Sequence, residues 1–200
     1  MKCEMMRNLV VDGNKCTFEL HTDTAFPNAL RRALRTDVER CAPSTITIQD
    51  NTSSQTDEYI AHRIGMIPFV PVDGAENPDG ELWLKVKDRE ATSYDLTGAS
   101  FKPVHDIPIV ILTAKQCIDL SIRFTRGRGR DHAKFSLIGP VAYSVDGKKT
   151  SMGFNTITDE CPLAYLLDAL YELKKAIDAA QYFVETDYDS ARREVTEEKK

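Results

Sequence analysis

Long apolar runs are missing from this 200-residue sequence. None approaches the roughly 18 consecutive apolar residues that a membrane-spanning helix needs. The opening MKCEMMRNLVVDG has no apolar stretch of the kind a secretion signal carries, so an intracellular protein is expected. Cysteine is scarce and scattered: Cys3, Cys16, Cys41, Cys117 and Cys161 make up the five, with no C-x-x-C spacing. An odd count without a secretion signal points to reduced thiols. A basic balance is also missing. The net charge is −5, so the surface as a whole does not advertise nucleic-acid binding. No internal repeat or low-complexity tract is present.

What is there is the ordinary material of a packed chain: 42% hydrophobic and 28% charged residues, enough for one domain or two small ones. RNLVV and KCTFEL, joined by DGN, predict a β-hairpin whose glycine tolerates the positive φ of a tight turn. PVAYSV, DGKK and TSMGFNTI predict a second hairpin. Phe26, Leu30, Ala33, Leu34, Val38 and Cys41 recur at helical spacing and predict one amphipathic helix from about Ala25 to Arg40. Asp23 or Thr24 is placed to cap that helix, Pro43 lies just beyond it, and Arg31, Arg32 and Arg35 fall mainly off its apolar stripe. STITIQDNTS predicts a strand and a polar loop, Asp57 to Arg63 a short helix, and residues 71–81 a loop rich in proline, glycine and aspartate. Leu82 to Val86 alternates as a strand does. IVILTAKQCIDLSIRF predicts a buried strand, a turn at Ala114–Lys115, and an alternating strand through Phe124. Residues 88–108 carry no clear period.

The strongest periodicity comes last. Leu163, Leu166, Leu170, Leu173, Ile177, Ala180 and Val184 repeat with alternating spacings of three and four, the seam of a coiled coil. It predicts a helix of ~24 residues, about 36 Å long at 1.5 Å per residue, followed from Glu185 by a charged tail expected to fray. A seam this narrow can serve the chain's own core or a partner helix. If the two amphipathic helices cover the sheet only in part, the remaining apolar area is left for another chain.

Two constellations carry possible chemistry. Glu58 and His62 are four apart on one predicted helix. A metalloprotease helix needs two histidines and a further ligand; here there is one, and His21, His105 and His132 have no ligand spacing. A metal-dependent enzyme is therefore the weaker reading, and a local salt link or buried hydrogen bond the stronger. RFTRGRGRDHAKF sets Arg123, Arg126, Arg128, Arg130 and Lys134 against one acid, Asp131. Such a cluster suits a phosphate backbone, an acidic protein partner or a solvated loop, and Gly127 and Gly129 would let it approach a ligand closely.

FPNALRRALRTDVERCAPSTITIQDNTSSQTDEYIAHRIGMIPF closely resembles the signature of the alpha-like subunits of multisubunit RNA polymerases. These comprise the third-largest subunit of eukaryotic RNA polymerase II, its archaeal counterpart and, more distantly, the bacterial alpha N-terminal domain. The likeness rests on N-A-L-R-R at 28–32, N-T-S at 51–53 and D-E-x-I-A-H-R-I-G-x-I-P at 57–68. It extends to GRGRDHAKFSLIGPVAYSV and to LLDALYELKKAID, which is similar to the family's dimerisation helix.

The resemblance implies an α+β fold. A discontinuous dimerisation domain, 1–43 with 138–200, would hold two hairpins and two amphipathic helices, and a mainly-β domain, 44–137, would be inserted in it. It implies a heterodimer with a smaller alpha-like subunit through Phe26, Leu30, Leu34, Leu163, Leu166, Leu170, Leu173, Ile177 and Ala180. It implies contact with the second-largest and largest catalytic subunits near Asn28, Arg31, Arg32, His62, Arg63, Arg128, Arg130, His132 and Lys134. Small polymerase subunits would also be partners, DNA would be met only through the complex, and no membrane is involved. The chain itself would not be catalytic. Val70 to Glu90 lacks the cysteines with which some family members hold zinc or an iron–sulfur cluster. No metal or other cofactor is therefore expected, and packing around Trp83 would take its place. The location implied is the nucleus for a cellular protein, or the nucleus, cytoplasm or virion for one from a large DNA virus.

Overall fold

The computed structural model describes residues 5–72 and 80–197, with side chains described as far as 186. The middle of the expected 71–81 loop lies outside the described residues. The chain is mixed α+β. Among the described residues it runs β1 (Met6–Asp12), β2 (Lys15–His21), α1 (Ala25–Thr36), β3 (Glu39–Asn51), α2 (Asp57–Gly65), β4 (Phe69–Pro71) and β5 (Glu81–Lys87). It continues through β6 (Glu90–Thr92), β7 (Phe101–Pro103), β8 (Pro108–Ile111), β9 (Cys117–Arg128), β10 (Ile138–Asp146), β11 (Lys149–Thr156) and α3 (Pro162–Glu197).

Both expected hairpins form, and they lie side by side as a four-stranded sheet of order β1-β2-β11-β10. Their turns place Gly13 and Gly147 at φ 54° and 59°, where a Cβ would be strained. Cys16, Phe18 and Leu20 of β2 and Met152 and Phe154 of β11 face one way. They form a core with Leu30 and Leu34 of α1 and Tyr165, Leu166 and Ala169 of α3.

A second core gathers on the three-stranded sheet β3-β9-β5. The alternation read in β9 is real: Ile118, Leu120, Ile122 and Phe124 point inward against Leu82, Leu84 and Val86 of β5 and Ile60 and Ile64 of α2. Phe124 stacks on Phe101 at 4.1 Å and meets Phe69 edge-on at 5.1 Å between ring centroids. Trp83 is not the packing centre expected of it. It stands half exposed, at 50%, on the outer side of β5.

Three boundaries differ from the sequence reading. The first helix ends at Thr36 rather than Arg40, because Glu39, Arg40 and Cys41 pair with Arg128, Gly127 and Arg126 of β9. Pro43 consequently sits inside β3. Residues 88–108 hold three-residue strands, too short to show a period. The last helix runs to Glu197.

Candidate functional site

The signature blocks first serve the chain's own architecture. Asn51 accepts hydrogen bonds from the Ser53 N–H at 3.0 Å and the Ser53 hydroxyl at 2.7 Å. Its Nδ2 donates to the Gln55 carbonyl at 3.0 Å and to Asp57 Oδ1 at 2.6 Å. Thr52 Oγ1 accepts from the Cys117 N–H at 2.7 Å, tying the end of β3 to the start of β9. Thr56 then caps α2, accepting from the Tyr59 N–H. Asp57 and Glu58 lie in the first turn and His62 and Arg63 in the last, the order a helix dipole favours. Arg63 donates to the Pro108 carbonyl at 2.5 Å and to the Tyr59 hydroxyl at 3.2 Å. That polar run is therefore a joint. Glu58 and His62 are both exposed, and among the described residues no three His, Cys, Asp or Glu side chains are grouped to hold a metal ion.

The basic segment is likewise engaged within the protein. A Cβ on Gly127 would meet the Phe135 ring at 2.4 Å, and one on Gly129 would meet the Arg35 carbonyl oxygen at 2.1 Å. These glycines admit close approach to the chain itself, where the sequence suggested approach to a ligand. Arg128 pairs with Glu172 at 3.4 Å, Arg130 with Asp131 at 4.0 Å, and Arg123 with Glu81. Lys134 Nζ donates to the Pro43 carbonyl at 2.6 Å, and its N–H donates to His132 Nδ1 at 3.1 Å.

These engagements bring sequence-distant residues together. His62 of α2 and His132 and Lys134 of the later block line one cleft of about 240 Å³, walled by Pro43, Ile46 and Met66. Asn28 and Arg31 stand apart on α1, where Arg31 donates twice to Asn28 Oδ1, at 3.0 and 3.3 Å. Arg32 is exposed beside them. Arg130 joins this second group, its N–H donating to the Thr36 carbonyl at the end of α1.

The apolar seam divides. Leu30, Leu34 and Leu166 are buried in the chain's own core, and Phe26, Leu163, Leu170 and Leu173 pack partly against it. Beyond Lys174, every side chain of α3 described is exposed. Ile177 is 63% and Val184 65% exposed, with Ala180, Tyr182 and Phe183 also in the open. This half of the helix is amphipathic: Lys175, Asp178, Gln181 and Glu185 share one side, and Ala176, Ile177, Ala180, Phe183 and Val184 form an apolar stripe on the other, the kind of face that ordinarily packs against another element.

Sequence reasoning missed Arg40, Tyr165, Asp168 and Glu172. Arg40 bonds to Asp168 at 2.7 Å and lies 4.5 Å over the Tyr165 ring. Burial pushes the Tyr165 hydroxyl up to about 12, against a hydrogen bond with Thr158 at 2.8 Å that lowers it. Among these groups, the i, i+4 acids of α3 were the one visible signal.

Among known proteins, the chain is similar to subunits of DNA-directed RNA polymerases. No family model matches the chain. It is 38% identical over 117 residues to the DNA-directed RNA polymerase subunit Rpo3 of Natronomonas pharaonis, covering 55% of this chain and 47% of that one. It is 34% identical over 129 residues to Rpo3 of Methanocaldococcus jannaschii, 62% of this chain and 65% of that one. Human RPAC1, a subunit of DNA-directed RNA polymerases I and III, is 30% identical over 178 residues, 66% of this chain and 51% of that one. The chain is a homologue of the alpha-like subunits of multisubunit RNA polymerases. It spans 47% to 65% of the length of these three relatives.

Proposed function

We propose that the chain is a non-catalytic assembly subunit of a DNA-directed RNA polymerase. It pairs with a smaller alpha-like subunit and forms the platform on which the second-largest and then the largest catalytic subunits gather. Small polymerase subunits join the same assembly, and DNA is met only through it. No cofactor is required for this role. The observation that carries the reading is the uncovered distal half of α3, with Ile177 and Val184 exposed on a helix whose proximal half is core. An aliphatic helix of this kind is stable in solution when another chain covers it.

In this reading the first core, with residues 1–43 and 138–200, is the dimerisation domain, and residues 44–137 are an insertion in it. Phe26, Leu163, Leu170, Leu173, Ile177 and Ala180 meet the smaller subunit, with Leu30, Leu34 and Leu166 supporting them from within. Asn28, Arg31, Arg32 and Arg130 offer one contact patch to the large subunits. His62, His132 and Lys134, braced by Arg63 and Arg128, offer a second. The complex works inside the cell, in the nucleus for a cellular protein, or in the nucleus, cytoplasm or virion for a viral one.

The test is co-expression with a small alpha-like subunit. A stable 1:1 complex is expected, lost on Ile177→Asp with Val184→Asp. A monodisperse monomer that ignores every polymerase subunit offered would contradict the reading.

A further inference from the structure

The two cores are joined where β3 and β9 leave the first and enter the second. At that crossing Arg40 lies opposite Gly127, and Glu39 opposite Arg128. Arg40 and Arg128 are therefore near neighbours on adjacent strands. Both reach the same helix. Arg40 Nη2 is 2.7 Å from Asp168 Oδ2, and Arg128 Nη2 is 3.4 Å from Glu172 Oε2. Asp168 and Glu172 are four residues apart and share one face of α3.

The Arg40 grip is reinforced and confined. Its guanidinium lies over the buried Tyr165 ring, a contact favourable for a cation. Its Nε is buried without a hydrogen-bond partner, so stacking, the Asp168 carboxylate and the Glu39 carbonyl, which accepts from Nη1 at 3.0 Å, hold the group. Beside this junction, a cleft of about 620 Å³ separates Phe69 of the second core from Leu137 of the first. That space would let one core tilt against the other if the junction were loose. Two ion pairs from two strands onto one helix face oppose such rotation, where a single pair would act as a pivot.

We infer that Asp168 and Glu172 form a latch that sets the angle between the two cores by holding Arg40 and Arg128. The inference deepens the scaffold reading and takes its purpose from it. Asn28 and Arg31 lie on α1, packed in the first core, and His62 on α2, packed in the second, and a rigid partner meets both at once only if their separation is fixed beforehand. Fixing it in the free chain removes an ordering cost from assembly.

The test uses the full chain alone, with donor and acceptor dyes on bio-orthogonal residues replacing exposed Lys87 and Lys148. The nearly isosteric Asp168→Asn with Glu172→Gln should shift and broaden the single-molecule transfer-efficiency distribution, while the thermal unfolding midpoint of each core stays within a few degrees. Arg128→Gln alone should give a smaller change in the same direction. Distributions superimposable on the wild type for both variants would overturn the latch. Because no polymerase subunit is present, that failure is distinct from failure to form the 1:1 complex.

Discussion

A Cβ placed on Gly129 would sit 2.1 Å from the main-chain oxygen of Arg35. The glycine is what allows the end of β9 to lie against the end of α1, and Arg130 to donate to the Thr36 carbonyl at 3.2 Å. Gly129→Ala forces one backbone segment away from the other. Overpacking of this kind costs about 1–3 kcal/mol, and thermal unfolding should show a midpoint several degrees lower. An unchanged midpoint would mean the contact is slack.

The Asn51 network makes a similar claim for the turn before α2. Asn51→Ala removes bonds to Ser53, Gln55 and Asp57 together. The group is largely exposed, so water replaces part of the loss, and about 1–2 kcal/mol is expected. Limited proteolysis should show faster cutting within residues 52–56.

Tyr165 gives a pH signature. Its neutral form is favoured in the folded state, where burial raises it to about 12; the unfolded residue ionises near 10. Its contribution is therefore intact below about pH 10 and declines as the pH rises from there through about 12, because the unfolded state releases its proton first. Denaturant unfolding at pH 8 and pH 11 should show a larger loss for the wild type than for Tyr165→Phe. At pH 8 the variant should be weaker by about 1–3 kcal/mol, since the Thr158 hydroxyl loses its buried partner.

Ile177→Asp and Val184→Asp should leave the isolated chain's unfolding free energy within about 0.5 kcal/mol, because both side chains are exposed. Leu30→Ala, buried in the first core, should cost about 2–5 kcal/mol. Equal losses at the two kinds of site would mean that the distal helix packs on its own chain.

The parts legible in the sequence were those with local causes. The DGN and DGKK turns declared both hairpins, the run from Asp57 to Arg63 read as the short helix it forms, and the alternation from Ile118 to Phe124 declared β9. The parts that were not legible depend on pairing at a distance. Arg40 looks like the last turn of a helix until Gly127 is known to lie opposite it. Gly127 and Gly129 look like a ligand loop until Phe135 and Arg35 are known to press on them. The seam from Leu163 to Val184 is uniform in sequence, and only the extent of the sheet beneath it decides where core ends and open surface begins. His62 and His132, seventy positions apart, gave no sign of sharing a cleft.

The central claim is that another polymerase chain covers the open half of α3. Affinity purification from the native source, with each co-purifying chain identified by mass spectrometry, tests it most directly. The account expects a smaller alpha-like subunit in equal amount, together with both large catalytic subunits, all lost when Ile177 and Val184 are replaced by aspartate. Recovery of the chain alone, or of the same polymerase set with the double variant, would contradict it.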